Sequence, residues 1–169
     1  MTANNDELAS ETRTIQFISS SGSENWEGFN SGYTIENERP YFTQSGLIFY
    51  TRINVGSPNE SARFITSETR SVLEMHGSKK QTFAVVLPTA ARRITVSINE
   101  QLENSSGKDR LIFIVPGNDV IERRLAGTVG DQTFEFSFPI RAFVYYPLSS
   151  EQFNNPTVSI SKIAWDSLA

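Results

Sequence analysis

An all-β domain, folded as a two-sheet antiparallel β-sandwich of the jelly-roll kind, is what this chain of 169 residues predicts. Three observations carry the prediction. Apolar residues come in short, alternating, β-branched or aromatic runs; Gly, Pro, Asn and Ser clusters separate those runs; and no stretch keeps the i, i+3, i+4 spacing of a helix for more than about two turns.

The runs are taken in order. Thr14 to Ile18 is the first, and Gly46 to Ile53 the second, with Leu47, Phe49, Thr51 and Ile53 on one face. Ala62 to Thr66, Ser71 to Met75, Thr82 to Leu87, Arg93 to Ile98, Arg110 to Val115 and Val120 to Leu125 follow. Thr133 to Phe138, Arg141 to Tyr146 and Val158 to Trp165 complete the set. Ile94, Val96 and Ile98 alternate with Thr95, Ser97 and Asn99, and Phe134, Phe136 and Phe138 alternate with Glu135 and Ser137, so each apolar set faces inward. Arg110 to Val115 is apolar on both faces, the pattern of a central strand covered on both sides. The last run breaks parity, because Val158 and Ile160 share one face while Ile163 and Trp165 fall on the other. A one-residue bulge near Ser161-Lys162 restores a single apolar face. The expected core is Phe49, Phe83, Val85, Ile94, Val96, Phe113, Phe134, Phe136, Val144 and Ile160.

One domain is expected at this length, residues 13–169, preceded by a polar tail at 1–12 in which Asp6 to Thr12 is the one helix candidate. The N-terminus has neither a basic nor an apolar region of a secretory signal, and no apolar run is long enough to span a bilayer. A cytoplasmic location, or export by a route without a cleaved signal, fits these features.

Composition narrows the chemistry. There is no cysteine and one histidine, His76, so disulfides, thiolate sites and His-rich transition-metal sites are not expected, nor is any cofactor. His76 stands without a Gly-x-Ser-x-Gly elbow, which argues against a nucleophilic triad. Paired carboxylates could hydrolyse glycosides, and Glu24, Glu27, Glu36, Glu38, Asp119 and Glu122 are candidates. In a chain with 19 acidic residues such pairs arise by chance, and solvated loop carboxylates are the simpler account. A net charge of −4, with only the Arg92-Arg93 and Arg123-Arg124 doublets, disfavours nucleic acid as a partner. Asn118, Asp119 and Asp131 offer oxygens to calcium but not at the spacing of an EF-hand loop, so a structural calcium is left open.

The most distinctive stretch is Ser19 to Tyr33, small and polar yet carrying Trp26, Phe29 and Tyr33. Rings among polar side chains are how a protein stacks on a sugar while bonding its hydroxyls. The candidate ligand-binding set is therefore Trp26, Phe29 and Tyr33 with Asn25, Glu27 and Asn118, and with Arg141 and Tyr145 as a second choice on another strand. The competing account puts Trp26 in the core, where a ring of that size usually lies.

From about Arg92 onward the order of features resembles the galactose-binding-like jelly rolls and the carbohydrate-binding modules that share their architecture. The residues that carry it are the strand Arg92-Arg-Ile-Thr-Val-Ser-Ile98, the segment Gly107-Lys-Asp-Arg-Leu-Ile-Phe-Ile-Val-Pro-Gly117, the strands Thr133 to Phe138 and Ala142 to Tyr146, and the closing strand Val158 to Trp165. The opening stretch Ile15 to Phe29, with its Trp, fits the same pattern. The resemblance implies binding rather than catalysis, commonly of a glycan. The closing strand departs from it: many relatives carry an Asp-Asn pair where this chain has Ser161-Lys162, which argues against carrying over their structural calcium. The alternative role is a structural or assembly protein that binds a protein partner or self-associates as a homo-oligomer through its β-sandwich.

Overall fold

The computed structural model describes residues 21–52, 63–67, 70–76, 82–101, 110–117, 119–125, 129–146 and 157–167. The expected strand at Thr14 to Ile18 and the tail at 1–12 lie outside them. The described residues form ten strands: β1 (Ser21–Glu24), β2 (Tyr41–Phe42), β3 (Ile48–Arg52), β4 (Arg63–Ser67), β5 (Arg70–His76), β6 (Thr82–Gln101), β7 (Arg110–Ile114), β8 (Val120–Arg124), β9 (Gly130–Tyr146) and β10 (Thr157–Asp166). All pairings are antiparallel. No helix of the described residues is long and apolar enough to cross a membrane.

Two layers arise because β6 and β9 each serve both. The first halves of β6 and the last residues of β9 pair with β3 and β7, giving a layer in the order β2-β3-β6-β9-β7-β8. Their other halves pair with each other, and that of β6 also pairs with β10, giving a layer in the order β4-β5-β10-β6-β9. What the sequence shows as four separate runs, Thr82 to Leu87 with Arg93 to Ile98 and Thr133 to Phe138 with Arg141 to Tyr146, is thus two long strands. Each changes layer where its register slips, between Val86 and Arg93 on β6 and between Glu135 and Ala142 on β9. The slip also exchanges the inward parity: Phe83, Val85 and Leu87 are buried before it, Ile94, Val96 and Ile98 after it.

Rings from both layers fill the core at its two ends. Phe49 and Phe83 of the first layer meet Phe64 of the second around Trp26. Phe113 and Phe143 meet Phe134 and Phe136 at the other end. Eight of the ten expected core residues are buried. Phe134 is half-buried against the core, and Val144 is half-buried on the outer side of its strand, opposite in parity to Phe143 and Tyr145.

The bulge in β10 stands where expected: the register shifts on either side of Ile160, and Ser161 is the extra residue between Ile160 and Lys162. It coincides with a change of neighbour: β5 pairs with β10 up to Ile160, and β1 takes over the same edge from Ile163. The cover expected on both faces of β7 is corrected. Leu111 and Phe113 face the core, but the other face is open, with Ile114 40% exposed.

Candidate functional site

The loop after β1 is built on alternation. Glu24 and Trp26 are buried while Asn25 and Glu27 are exposed, although only Glu24 is in a strand. Strand β1 itself was hidden in the sequence because Ser-Gly-Ser-Glu carries no apolar residue. Its place is fixed by backbone pairing to β10 and by Gly22, where an added Cβ would come within 2.6 Å of the Trp165 ring.

Trp26 is a core ring, as the competing account had it, and this removes it from the expected sugar-stacking set. It is 0% exposed and lies against Phe49, Phe64 and Phe83. Its indole Nε1–H donates to the Ile160 carbonyl oxygen at 2.9 Å, at the point where β10 is passing from β5 to β1. A buried carbonyl there needs a donor, and the indole supplies one. The backbone of Trp26 is in the left-handed region, φ 65°, which is uncommon for a bulky side chain. The Glu24 carboxylate holds it there by accepting the Trp26 amide at 2.7 Å through Oε1. Oε2 of the same group accepts from the Ser45 hydroxyl at 2.5 Å. Glu24 is therefore a buried tie between two loops, with both oxygens engaged, rather than a solvated carboxylate.

Ser45 belongs to the turn between β2 and β3. The Thr43 amide donates to the Leu47 carbonyl at 2.9 Å, and the Thr43 and Ser45 hydroxyls are 2.8 Å apart. Gly46 has φ 84° above Pro88, a conformation and a proximity that suit glycine. The tie through Glu24 sets this turn beside the β1 loop and leaves a cleft of about 100 Å³ between them. Its walls are Asn25, Glu27, Gly28 and Phe29 on one side and Thr43, Gln44 and Ser45 on the other, over Ser23 and Glu24.

The cleft brings together three of the expected site residues. The Asn25 amide nitrogen donates to Glu27 Oε1 at 2.7 Å, so the two polar side chains are mutually oriented. Phe29 is half-buried, stacked on Phe64 with centroids 4.1 Å apart and edge-on to Phe49, and its remaining surface lines the cleft. Tyr33 is exposed next to Phe29, with ring centroids 5.9 Å apart, and is not part of the lining. Its backbone carbonyl accepts the Phe64 amide at 2.9 Å, so this loop also closes the edge of β4.

The second-choice pair separates. Tyr145 is buried on the inner face of β9, which removes it as a ligand-stacking ring, while Arg141 is exposed at the slip where parity changes. Asn118 lies outside the described residues. The turn it belongs to closes through the Val115 amide on the Asp119 carbonyl at 3.0 Å. Asp131 accepts from the Ser97 hydroxyl at 2.5 Å, and no group of three or more His, Cys, Asp or Glu that could hold a metal occurs among the described residues. His76 closes β5, in register with Thr157. Of the other expected carboxylates, Glu36 and Glu38 form exposed ion pairs with Arg39 and Arg52, and Glu122 pairs with the half-buried Arg110. Sequence reasoning missed Thr43, Gln44 and Ser45, which come well after Trp26 in the chain and are tied to its loop by the bond from Ser45 to Glu24.

No family model matches the chain, and no curated protein matches it. Solved structures do. The chain is similar to a fucose-binding module of Streptococcus pneumoniae at 12% identity and a TM-score of 0.47, covering 83% of this chain and 99% of that one. It is also similar to the family 32 carbohydrate-binding module from C. perfringens NanJ, solved in complex with galactose, at 15% identity and a TM-score of 0.46, covering 70% and 92%. A variant of a family 29 carbohydrate-binding module is similar at 7% identity and a TM-score of 0.38, covering 70% and 91%.

Proposed function

We propose that this protein is a non-catalytic recognition module that binds a neutral sugar at the end of a glycan, in the cleft between the β1 loop and the β2–β3 turn. The observation that carries the reading is the chemistry of the lining. One partly buried ring, Phe29, sits among an amide pair, two carboxylates and three hydroxyls. Such a wall offers an apolar patch for the C–H face of a sugar and both donors and acceptors for its hydroxyls. The lining holds Glu24 and Glu27 and no Lys or Arg. A sialylated, sulfated or uronic sugar would meet two like charges there without a cation to offset them, so neutral sugars are selected.

The test is a glycan array with neutral and acidic members, followed by titration of any hit. Asn25→Ala and Gln44→Ala each remove an exposed polar group of the cleft, and Glu27→Gln replaces its exposed carboxylate by a neutral amide. Each is expected to weaken binding about tenfold, the scale of one hydrogen bond to a charged or well-placed partner. Binding confined to acidic glycans, or neutral-glycan binding unchanged in all three variants, overturns the assignment.

A further inference from the structure

Two turns follow one another after β1, and each ends on a ring. The first closes through the Phe29 amide on the Trp26 carbonyl, the second through the Tyr33 amide on the Asn30 carbonyl, both at 3.1 Å. The third residue of the second turn is Gly32, with φ 81°, the conformation that a type II turn requires there and that glycine adopts without a steric penalty. Two backbone bonds dock this turn on the edge of β4. The Gly32 amide donates to the Phe64 carbonyl at 2.7 Å, and the Tyr33 carbonyl accepts the Phe64 amide at 2.9 Å. The Tyr33 ring is buttressed as well. It lies 5.9 Å from the Phe29 ring, tilted by 53°, and edge-on to Tyr41 at 6.3 Å. Tyr41 is itself buried and stacked on Phe49, and its hydroxyl accepts the Glu36 amide at 3.0 Å. Tyr33 is thus held on all these sides and still 43% exposed.

We infer, building on the assignment of the cleft to a neutral sugar, that Tyr33 forms a second sugar subsite beside it. The ligand class is then a neutral oligosaccharide of at least two units, with its terminal unit in the cleft and the next on Tyr33. Position is the first reason. Phe29 is the one ring of the cleft lining, and Tyr33 is the next ring outward, at a step comparable to the width of a pyranose. A terminal unit with its C–H face on Phe29 brings the unit joined to it within reach of Tyr33.

The surroundings repeat the composition of the cleft, a ring among polar groups. Asn30, between the two rings in the chain, is exposed, and so is Thr34, so that an amide and a hydroxyl stand beside the ring in sequence. Arg39 lies over the Tyr41 ring at 5.6 Å and pairs with Glu36 at 3.1 Å. That pair sums to no charge, so it gives an acidic unit no advantage, in keeping with the neutral sugar assigned to the cleft. Order is the second reason. Phe29 and Tyr41 set the Tyr33 ring before any ligand arrives, and a rigid ring loses little freedom when a sugar packs on it. One exposed ring against one face of a sugar adds a modest increment of affinity.

The experiment is a nuclear magnetic resonance titration of the full chain with paired probes. Methyl glycosides of galactose, glucose, mannose, N-acetylglucosamine and fucose are each compared with a disaccharide that carries the same unit at its non-reducing end: lactose, cellobiose, mannobiose, chitobiose and fucosyl-galactose. For a sugar that the cleft accepts, the disaccharide is expected to bind about five- to tenfold more tightly than the methyl glycoside. Tyr33→Ala is expected to abolish that ratio and leave the affinity for the methyl glycoside unchanged, whereas Tyr33→Phe keeps the ratio. Should Tyr33→Ala unfold, Tyr33→Leu, which keeps apolar bulk against Phe29 and Tyr41 without a flat ring, serves in its place with the same expectation. A disaccharide no tighter than its methyl glycoside, or a ratio that survives the loss of the ring, overturns the second subsite and leaves the cleft assignment standing. Equal loss of affinity for both probes also overturns it, since the ring would then only support Phe29. Binding of no probe at all overturns the cleft assignment and the subsite together.

Discussion

Trp26 and Phe29 stand three residues apart in one loop and do different jobs. Trp26 has no exposed surface and fills the gap at the β10 bulge with both its ring and its N–H. Phe29 keeps one side on the core and offers the other to the cleft. The difference comes from the backbone. The alternation begun in β1 carries Trp26 inward, and a turn closed by the Phe29 amide on the Trp26 carbonyl, 3.1 Å, ends it. After that turn the chain no longer alternates toward the core, and the next ring is left at the boundary. An aromatic loop thus divides into an anchor and a contact surface according to whether it still follows the strand before it.

Four substitutions test this division. Trp26→Ala empties the junction of both layers and is expected to cost about 3–5 kcal/mol in chemical denaturation; a loss below about 1 kcal/mol would return the ring to the surface. Trp26→Phe keeps most of the ring but leaves the Ile160 carbonyl without its donor. Roughly 1–3 kcal/mol is expected, read from the same denaturation curves, with glycan affinity preserved. Phe29→Ala is expected to lower stability by about 1 kcal/mol, because half of the ring remains exposed, while glycan affinity falls sharply. Equal effects on both would make Phe29 an anchor like its neighbour. Gly28→Leu is the sharpest of the set. The nearest atom to a Cβ at this position is Gln44 Cδ at 4.0 Å, so a side chain fits locally and grows into the cleft. Stability should stay within about 0.5 kcal/mol while binding is blocked; full binding by this variant would empty the cleft of its role.

Much of the fold was legible because burial on one face leaves a period of two. Ile94, Val96 and Ile98, or Phe134 and Phe136, could be oriented by inspection, and the parity break after Ile160 located a bulge. The same signal concealed the two long strands. A strand that changes layer slips its register and exchanges parity, and the slips in β6 and β9 look like ends of strands when only the alternation is read. Strand β1 left no apolar trace, since its contribution is backbone pairing and the absence of a side chain at Gly22. Of the site, Asn25, Glu27 and Phe29 were visible as loop residues. The opposite wall was not, because the Glu24–Ser45 bond that joins the walls is a tertiary contact between two short polar segments. Arg110 to Val115 is apolar on both faces, but the cover this implied is present on one face alone, and Ile114 on the other is exposed.

The sharing of β6 and β9 between layers has a consequence for how the chain unfolds. Neither layer can open without stripping hydrogen bonds from a strand that is also part of the other, so the sandwich is expected to melt in one cooperative transition, with secondary and tertiary signals superimposed. The pairs that make this so are distant in sequence, as Ile94 with Phe134 and Phe83 with Tyr145 are. Closing such loops comes before any reward from pairing, which places the folding rate at the slow, millisecond-to-second end of small domains.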